Sequence, residues 1–173
     1  KQADVFYRNT VKEVMAMQQI LIIIFPQNFT GDSKGSSSID AHVRHILDRF
    51  HCFFSGVVGA SIDYDARKRD PEMEQNAGAT MFAQESVARL IELPQPCHCA
   101  VSSSILRSSC FSLGAVEINS ALERELMGLV AHSIHHLAII ALLAKSFDHQ
   151  MCSDFGKAPS AIVYEPSTPS TSA

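Results

Sequence analysis

The sequence predicts an all-α fold, a four-helix bundle with long crossover connections, and three observations carry that prediction. Four stretches place apolar residues at three- and four-residue steps, the spacing of one helix face. Helix breakers and helix starts punctuate those stretches at Pro26, Asp70-Pro71-Glu72, Pro94 and Ser120. Between the last two helices, residues 95–119 show no helical repeat, and at most a short β-hairpin is expected there.

The first helix is expected over residues 4–25, where Val11, Val14, Met15, Gln18, Leu21, Ile22 and Phe25 form a continuous stripe. Its end, Ile20 to Phe25, is apolar all round but too short to cross a bilayer. Pro26 stops it, and residues 27–38, rich in Gly and Ser, form a flexible connection. The second helix is expected from Ile39 to about Ser55, with a serine cap and Asp40 in its first turn. Ile39, Val43, Ile46, Leu47, Phe50 and Phe54 form its apolar face, and His42, His45, Arg49 and Cys52 lie together on the other side. That polar side is either a solvated face or the wall of a cleft.

Residues 56–71 form a charge-dense connection that includes Asp63-Tyr64-Asp65 and Arg67-Lys68-Arg69, most simply a solvated loop. Asp70-Pro71-Glu72 then opens a third helix reaching about Leu93, with Met73, Ala77, Met81, Val87, Ala88 and Ile91 as its buried stripe. Cys97 to Val101 and Cys110 to Leu113 are the expected strands of the hairpin. Cys97-His98-Cys99 has the wrong spacing for a zinc knuckle and no matching second half.

Ser120-Ala121-Leu122-Glu123 has the form of a capping box and opens the fourth helix, which extends to about Phe147. That helix is apolar on nearly every face, which points to a central helix or one also covered by a partner subunit, hence a homodimer. Three histidines in its middle would be costly in a bilayer, so no membrane partner is expected. Ile162-Val163-Tyr164 is expected to pack back on the bundle. A single domain over residues 1–165 with a disordered tail over 166–173 follows.

A hydrophobic fraction of 46% with 18% charged residues suits a globular chain able to bury a core. The net charge of -4 argues against a nucleic-acid partner. Five cysteines without regular spacing do not make a disulfide framework and suit a reducing, cytoplasmic setting. Asn28-Phe29-Thr30 would accept a glycan if the chain were secreted; the residues from Lys1 on do not read as a signal peptide, but with Lys rather than Met in first place a targeting segment could precede them.

The chemistry concentrates in His132-Ser133-Ile134-His135-His136. On a helix His132 and His136 point the same way, about 40° apart, while His135 lies about 60° to the other side of His132. An i, i+4 histidine pair is what a helix offers a transition metal, and a third ligand must come from a facing helix. The second helix offers both His42 and His45.

The segments Ser38-Ile39-Asp40-Ala41-His42-Val43-Arg44-His45-Ile46-Leu47-Asp48 and Arg124-Glu125-Leu126 through His132-Ser133-Ile134-His135-His136-Leu137-Ala138 resemble the DinB-like metal-binding four-helix bundles. The loop Tyr64-Asp65-Ala66-Arg67-Lys68-Arg69-Asp70 and the tail Phe155-Gly156-Lys157-Ala158-Pro159-Ser160 look like an uncharacterised branch of that family. The resemblance implies a divalent metal on His45, His132 and His136. It also implies metal-dependent S-transfer or thiol-dependent isomerisation with a low-molecular-weight thiol and a small electrophile, and assigns no catalytic side chain. The family often has a tryptophan opening the second helix and this chain has none, so His42 stays a candidate beside His45. Zinc or nickel is the first expectation, and cobalt and iron also accept imidazole. Arg49, Arg67, Glu125 and His135, with His42, are candidates to line the pocket or support the ligands. The alternative is a non-catalytic metal- or ligand-binding bundle acting as an interaction protein.

Overall fold

The structure, a computed structural model, describes residues 39–59, 61–66, 104–110 and 114–164, together with Ala16. The expected first and third helices, Cys97-His98-Cys99, Arg67 and the tail 166–173 lie outside the described residues.

The described part is mostly helical. Helix α1 spans Ile39–Gly59, strand β1 Ser61–Asp63, β2 Ser104–Cys110 and β3 Gly114–Ser120. Helix α2 spans Leu122–Ser146, and a short α3 spans Pro159–Tyr164. Helix α1 buries the face its spacing announces: Ile39, Val43, Ile46, Leu47, Phe50 and Phe54 are all buried, with Phe53 added. Against them pack Leu129, Leu137, Ile140 and Ala144 of α2, Ile62 and Tyr64 of the first crossover, and Phe155. Each fully buried side chain of this size contributes about 1.5–3 kcal/mol, so this seam is the main described source of stability.

Helix α1 runs past Ser55 through Gly56 rather than ending there. Gly56 is a contact residue, not a terminator: a Cβ on it would lie 2.7 Å from the Ile62 Cα and from the Ser61 carbonyl oxygen. The last turns of α1 therefore sit directly on β1. The expected solvated loop after α1 is in fact partly a strand, and Tyr64 is buried. Asp63 closes the following turn by accepting bonds from the Asp65 and Ala66 N–H groups at 2.9 and 3.1 Å.

The three strands form one sheet in the order β1-β2-β3, with β1 parallel to β2 and β2 antiparallel to β3. A hairpin does precede the last long helix, but its strands lie closer to that helix than the Cys97–Val101 and Cys110–Leu113 placement. Cys110 ends β2, opposite Gly114, and Ser104 pairs with Ser120. That register explains why the capping box fails. Ser120 is the last residue of β3, the N-cap of α2 is Ala121 with an extended backbone, and no side chain caps it. The Ser120 hydroxyl donates instead to the Glu125 carboxylate.

The tail returns through Phe155 and Gly156, not through α3. Gly156 has φ +74°, and a Cβ there would stand 2.6 Å from the Ala138 nitrogen. Its bare Cα lets the chain lie against the α2 backbone just beyond His136. Val163 and Tyr164 of α3 are 88% and 89% exposed, so the expected packing of that segment does not occur. By length and composition Arg124–Ser146 could cross a membrane, with 22% of its most apolar window buried inside the chain. Met127 and Leu142 are exposed along it.

Candidate metal centre

Helices α1 and α2 pack antiparallel, since His42 meets His136 while His45, one turn on, meets His132. The polar side of α1 is thus the wall of a cleft. Each partner comes from a helical register that the core fixes: Val43 and Ile46 flank His45, and Ser133 and Leu137 flank the α2 pair, all of them buried. Ser133 is accommodated between the histidines because its hydroxyl donates to the Leu129 carbonyl at 2.9 Å.

His45, His132 and His136 each present a ring nitrogen, and these three atoms lie within 4.8 Å of one another, close enough to hold a metal ion. Ring centroids are 4.9 Å apart for His45–His132, 4.6 Å for His45–His136 and 4.5 Å for His132–His136. The Nε2 atoms of His45 and His132 stand 2.8 Å apart, the separation of a hydrogen bond between imidazoles. A tetrahedral metal about 2.0–2.1 Å from each nitrogen would hold them about 3.3 Å apart. Small ring rotations cover that difference, so the donor set fits a transition metal.

His42 enters differently. Its Nδ1 lies 2.7 Å from the Nδ1 of His136, so one of the two rings donates and the other accepts. With Nδ1 engaged there, His136 has Nε2 left for a metal. His42 is therefore placed to support a ligand, the arrangement in which a ligating imidazole donates its second N–H to a fixed acceptor. His135 is exposed, with its ring 5.5 Å from that of His136.

Burial and neighbouring charge disfavour the protonated forms of two of these rings, His42 and His136. Burial lowers the His42 pKa, and the neighbouring His135 lowers it further against a raising effect of Asp40. His136 is pushed down to about 4, by burial first and then by His42, His135 and Arg49. Neutral imidazoles have the lone pairs that a metal needs, with no proton to displace.

The other end of the cleft holds a second polar group. Arg49, one turn past His45, lays its guanidinium 4.1 Å from the centroid of the Tyr64 ring. The buried Tyr64 hydroxyl lies in the field of the Glu125 carboxylate but outside the geometry of a full hydrogen bond. Burial and Glu125 raise the phenol pKa well above its usual value, and Arg49 opposes them. Glu125 is buried in the first turn of α2, where a carboxylate is favoured by the helix dipole. Tyr64 and Ser120 had no role assigned from sequence, Tyr64 because it sits in a run of charges and Ser120 because it read as a cap. The signal for Tyr64 was a lone aromatic in a polar loop.

No protein-family model, curated protein or solved structure matches this chain.

Proposed function

We propose that this chain holds one divalent transition metal on His45, His132 and His136 and acts as a metal-dependent transferase or isomerase of low-molecular-weight thiols. One observation carries the reading: three imidazoles from two helices converge within 4.8 Å. Three neutral protein ligands leave a position for water or substrate, the arrangement of catalytic zinc sites rather than structural ones. Bound there, the metal would supply the Lewis acidity that brings a thiol's pKa into the neutral range. The residues orient and exclude: His42 fixes the His136 ring, and the Phe155-Gly156 segment holds the α2 backbone beside it. In transfer the thiol sulfur bonds to the electrophilic carbon, the leaving group departs with its electron pair, and the thiol proton passes to solvent. Kinship with the DinB-like bundles, and a fourfold bundle completed by residues 4–25 and 70–93, belong to the same proposal and rest on the sequence segments themselves.

The test is spectroscopic. In the cobalt-loaded protein, adding glutathione, cysteine or a bacillithiol-like thiol should produce a sulfur-to-cobalt charge-transfer band. If no thiol changes the spectrum while cobalt stays bound, the chain is a non-catalytic metal-binding bundle. The exposed Met127 and Leu142 on α2 would then favour an interaction role.

A further inference from the structure

We infer that two copies of this chain pair through the outer face of α2, antiparallel about His135, with Leu142 of one copy seated over Gly128 of the other. The inference concerns the side of α2 turned away from the core, and it stands whether or not the thiol reading holds.

Periodicity comes first. At about 100° per residue, the buried Leu129, Ser133, Leu137, Ile140 and Ala144 share one side of α2. The exposed Gly128, Ala131, His135 and Leu142 lie about 180° round from them, in steps of three, four and seven residues. A helix packed on the core side leaves that face uncovered. Met127 and Leu142, 68% and 70% exposed, are its large side chains. Between those two, His135 is the one exposed titratable group on α2. A helix face meant for water carries charges instead.

The face complements itself. Gly128 and Leu142 stand seven residues before and after His135, so a twofold axis at His135 sets each Leu142 over the other copy's Gly128. The two contacts lie about 21 Å apart along the seam. Gly128 has room for the leucine: among the described residues, nothing lies within 4 Å of where its Cβ would be. Charge agrees with this direction. Arg124, exposed in the first turn of α2, comes beside the other copy's Ser146, where the helix ends and the exposed Asp148 follows. A cation is disfavoured at the N-terminus of its own helix and favoured at the C-terminal end it meets. On the axis His135 meets its own counterpart, and one ring donates to the other. A lipid surface would offer that ring no such partner. Lys145 stays at the rim, about 80° round from His135.

The seam over residues 127–145 is about 27 Å long and roughly 10–12 Å wide. That is toward the small end of specific interfaces, so the pair should be reversible rather than obligate. It also backs on the metal centre, since the ring of His135 is 5.5 Å from that of His136.

The experiment is sedimentation of the full chain. A dimer should grow in as concentration rises between about 1 and 200 µM. Leu142→Lys should weaken it at least about tenfold and keep one metal per chain. Gly128→Leu should weaken it as much, because knob would then meet knob. Adding Leu142→Ala to Gly128→Leu should restore most of the pairing, which only the antiparallel register explains. Both positions are exposed, so circular dichroism of each variant should match the parent. A parent that stays monomeric throughout would overturn the inference, and if it then sediments with anionic vesicles the face belongs to lipid. A dimer indifferent to both Leu142→Lys and Gly128→Leu would place the interface elsewhere. Failure of Leu142→Ala to rescue Gly128→Leu would reject the pairing about His135.

Discussion

At one end of the α1–α2 cleft His42, His45, His132 and His136 gather with His135 beside them; at the other stand Arg49, Tyr64, Ser120 and Glu125. Both ends are polar and partly buried, yet they are satisfied in opposite ways. The histidines meet nitrogen to nitrogen, and each imidazole that takes a proton repels the others. Such a cluster is close enough to take a cation from outside. At the far end the Ser120 hydroxyl donates to the Glu125 carboxylate and the Arg49 guanidinium lies over the Tyr64 ring, so groups of complementary charge already stand together. That end gains nothing from an added metal. Substitutions at the first end should therefore change what the protein binds, and substitutions at the second how firmly it is folded.

The largest expected effect is loss of a ligand. His132→Ala or His136→Ala should abolish stoichiometric metal binding, with affinity falling by more than the ~10–100-fold that removing an outer-shell partner costs. His149→Ala, beyond the end of α2, should bind a full equivalent. Metal analysis of the three purified variants checks this, and full occupancy in His136→Ala would overturn the ligand set. The metal-free variants should melt close to the parent, because an imidazole on a cleft wall contributes little to the core.

Next comes the far end. Glu125→Ala would remove the acceptor of the Ser120 hydroxyl and the carboxylate opposite Tyr64 and Arg49. The expected cost is about 2–3 kcal/mol, since a hydrogen bond to a charged group is lost and its neighbours stay buried. For a chain of this length that lowers Tm by roughly 4–12 °C. Metal affinity should move less than about tenfold, a smaller change than an outer-shell partner can cause. A variant that melts normally but loses its metal would invert the assignment of the two ends.

The contrast also explains what the sequence made legible. His132 and His136 could be paired from spacing alone because a helix repeats every 3.6 residues, and the apolar face of α1 fixed which residues shared the cleft side. Spacing could not choose between His42 and His45, since both lie on that side. Packing separates them by placing His45 against both α2 histidines and His42 against the Nδ1 of His136. The far end was harder to read because its residues come from four different elements. Strand β1 is three residues long, too short to show any alternation. Ser120 satisfies the capping pattern locally, but its backbone is already committed to β3 and its hydroxyl to Glu125. The helix was expected to end at about Ser55 because the reason for Gly56, its close approach to Ile62, is a tertiary fact.

The smallest expected effect is on stability in mild acid, and it belongs to the histidine end. His136 is held down at about 4 and His42 is also lowered from 6.5, in each case by burial first and then by neighbouring positive charge. An unfolded chain would protonate both near pH 6.5. Between about pH 6.5 and pH 4 the unfolded state therefore binds more protons than the folded state, and stability falls as pH falls through that window. Above it both states are neutral at these sites and stability is level; below about pH 4 His136 is protonated in both and its contribution stops changing. The rings remain partly open to water, which screens the repulsion and keeps the effect modest. Urea unfolding of the chelator-treated protein between about pH 7 and pH 4 measures it. His136→Gln should flatten the curve, because the most strongly lowered group is gone and His42 loses its partner. With metal bound the acid drop should steepen, since protons then compete with the ion for the same nitrogens. An identical pH profile in His136→Gln and the parent would mean that the acid sensitivity arises elsewhere, and the two ends of the cleft would no longer differ in the way their side chains imply.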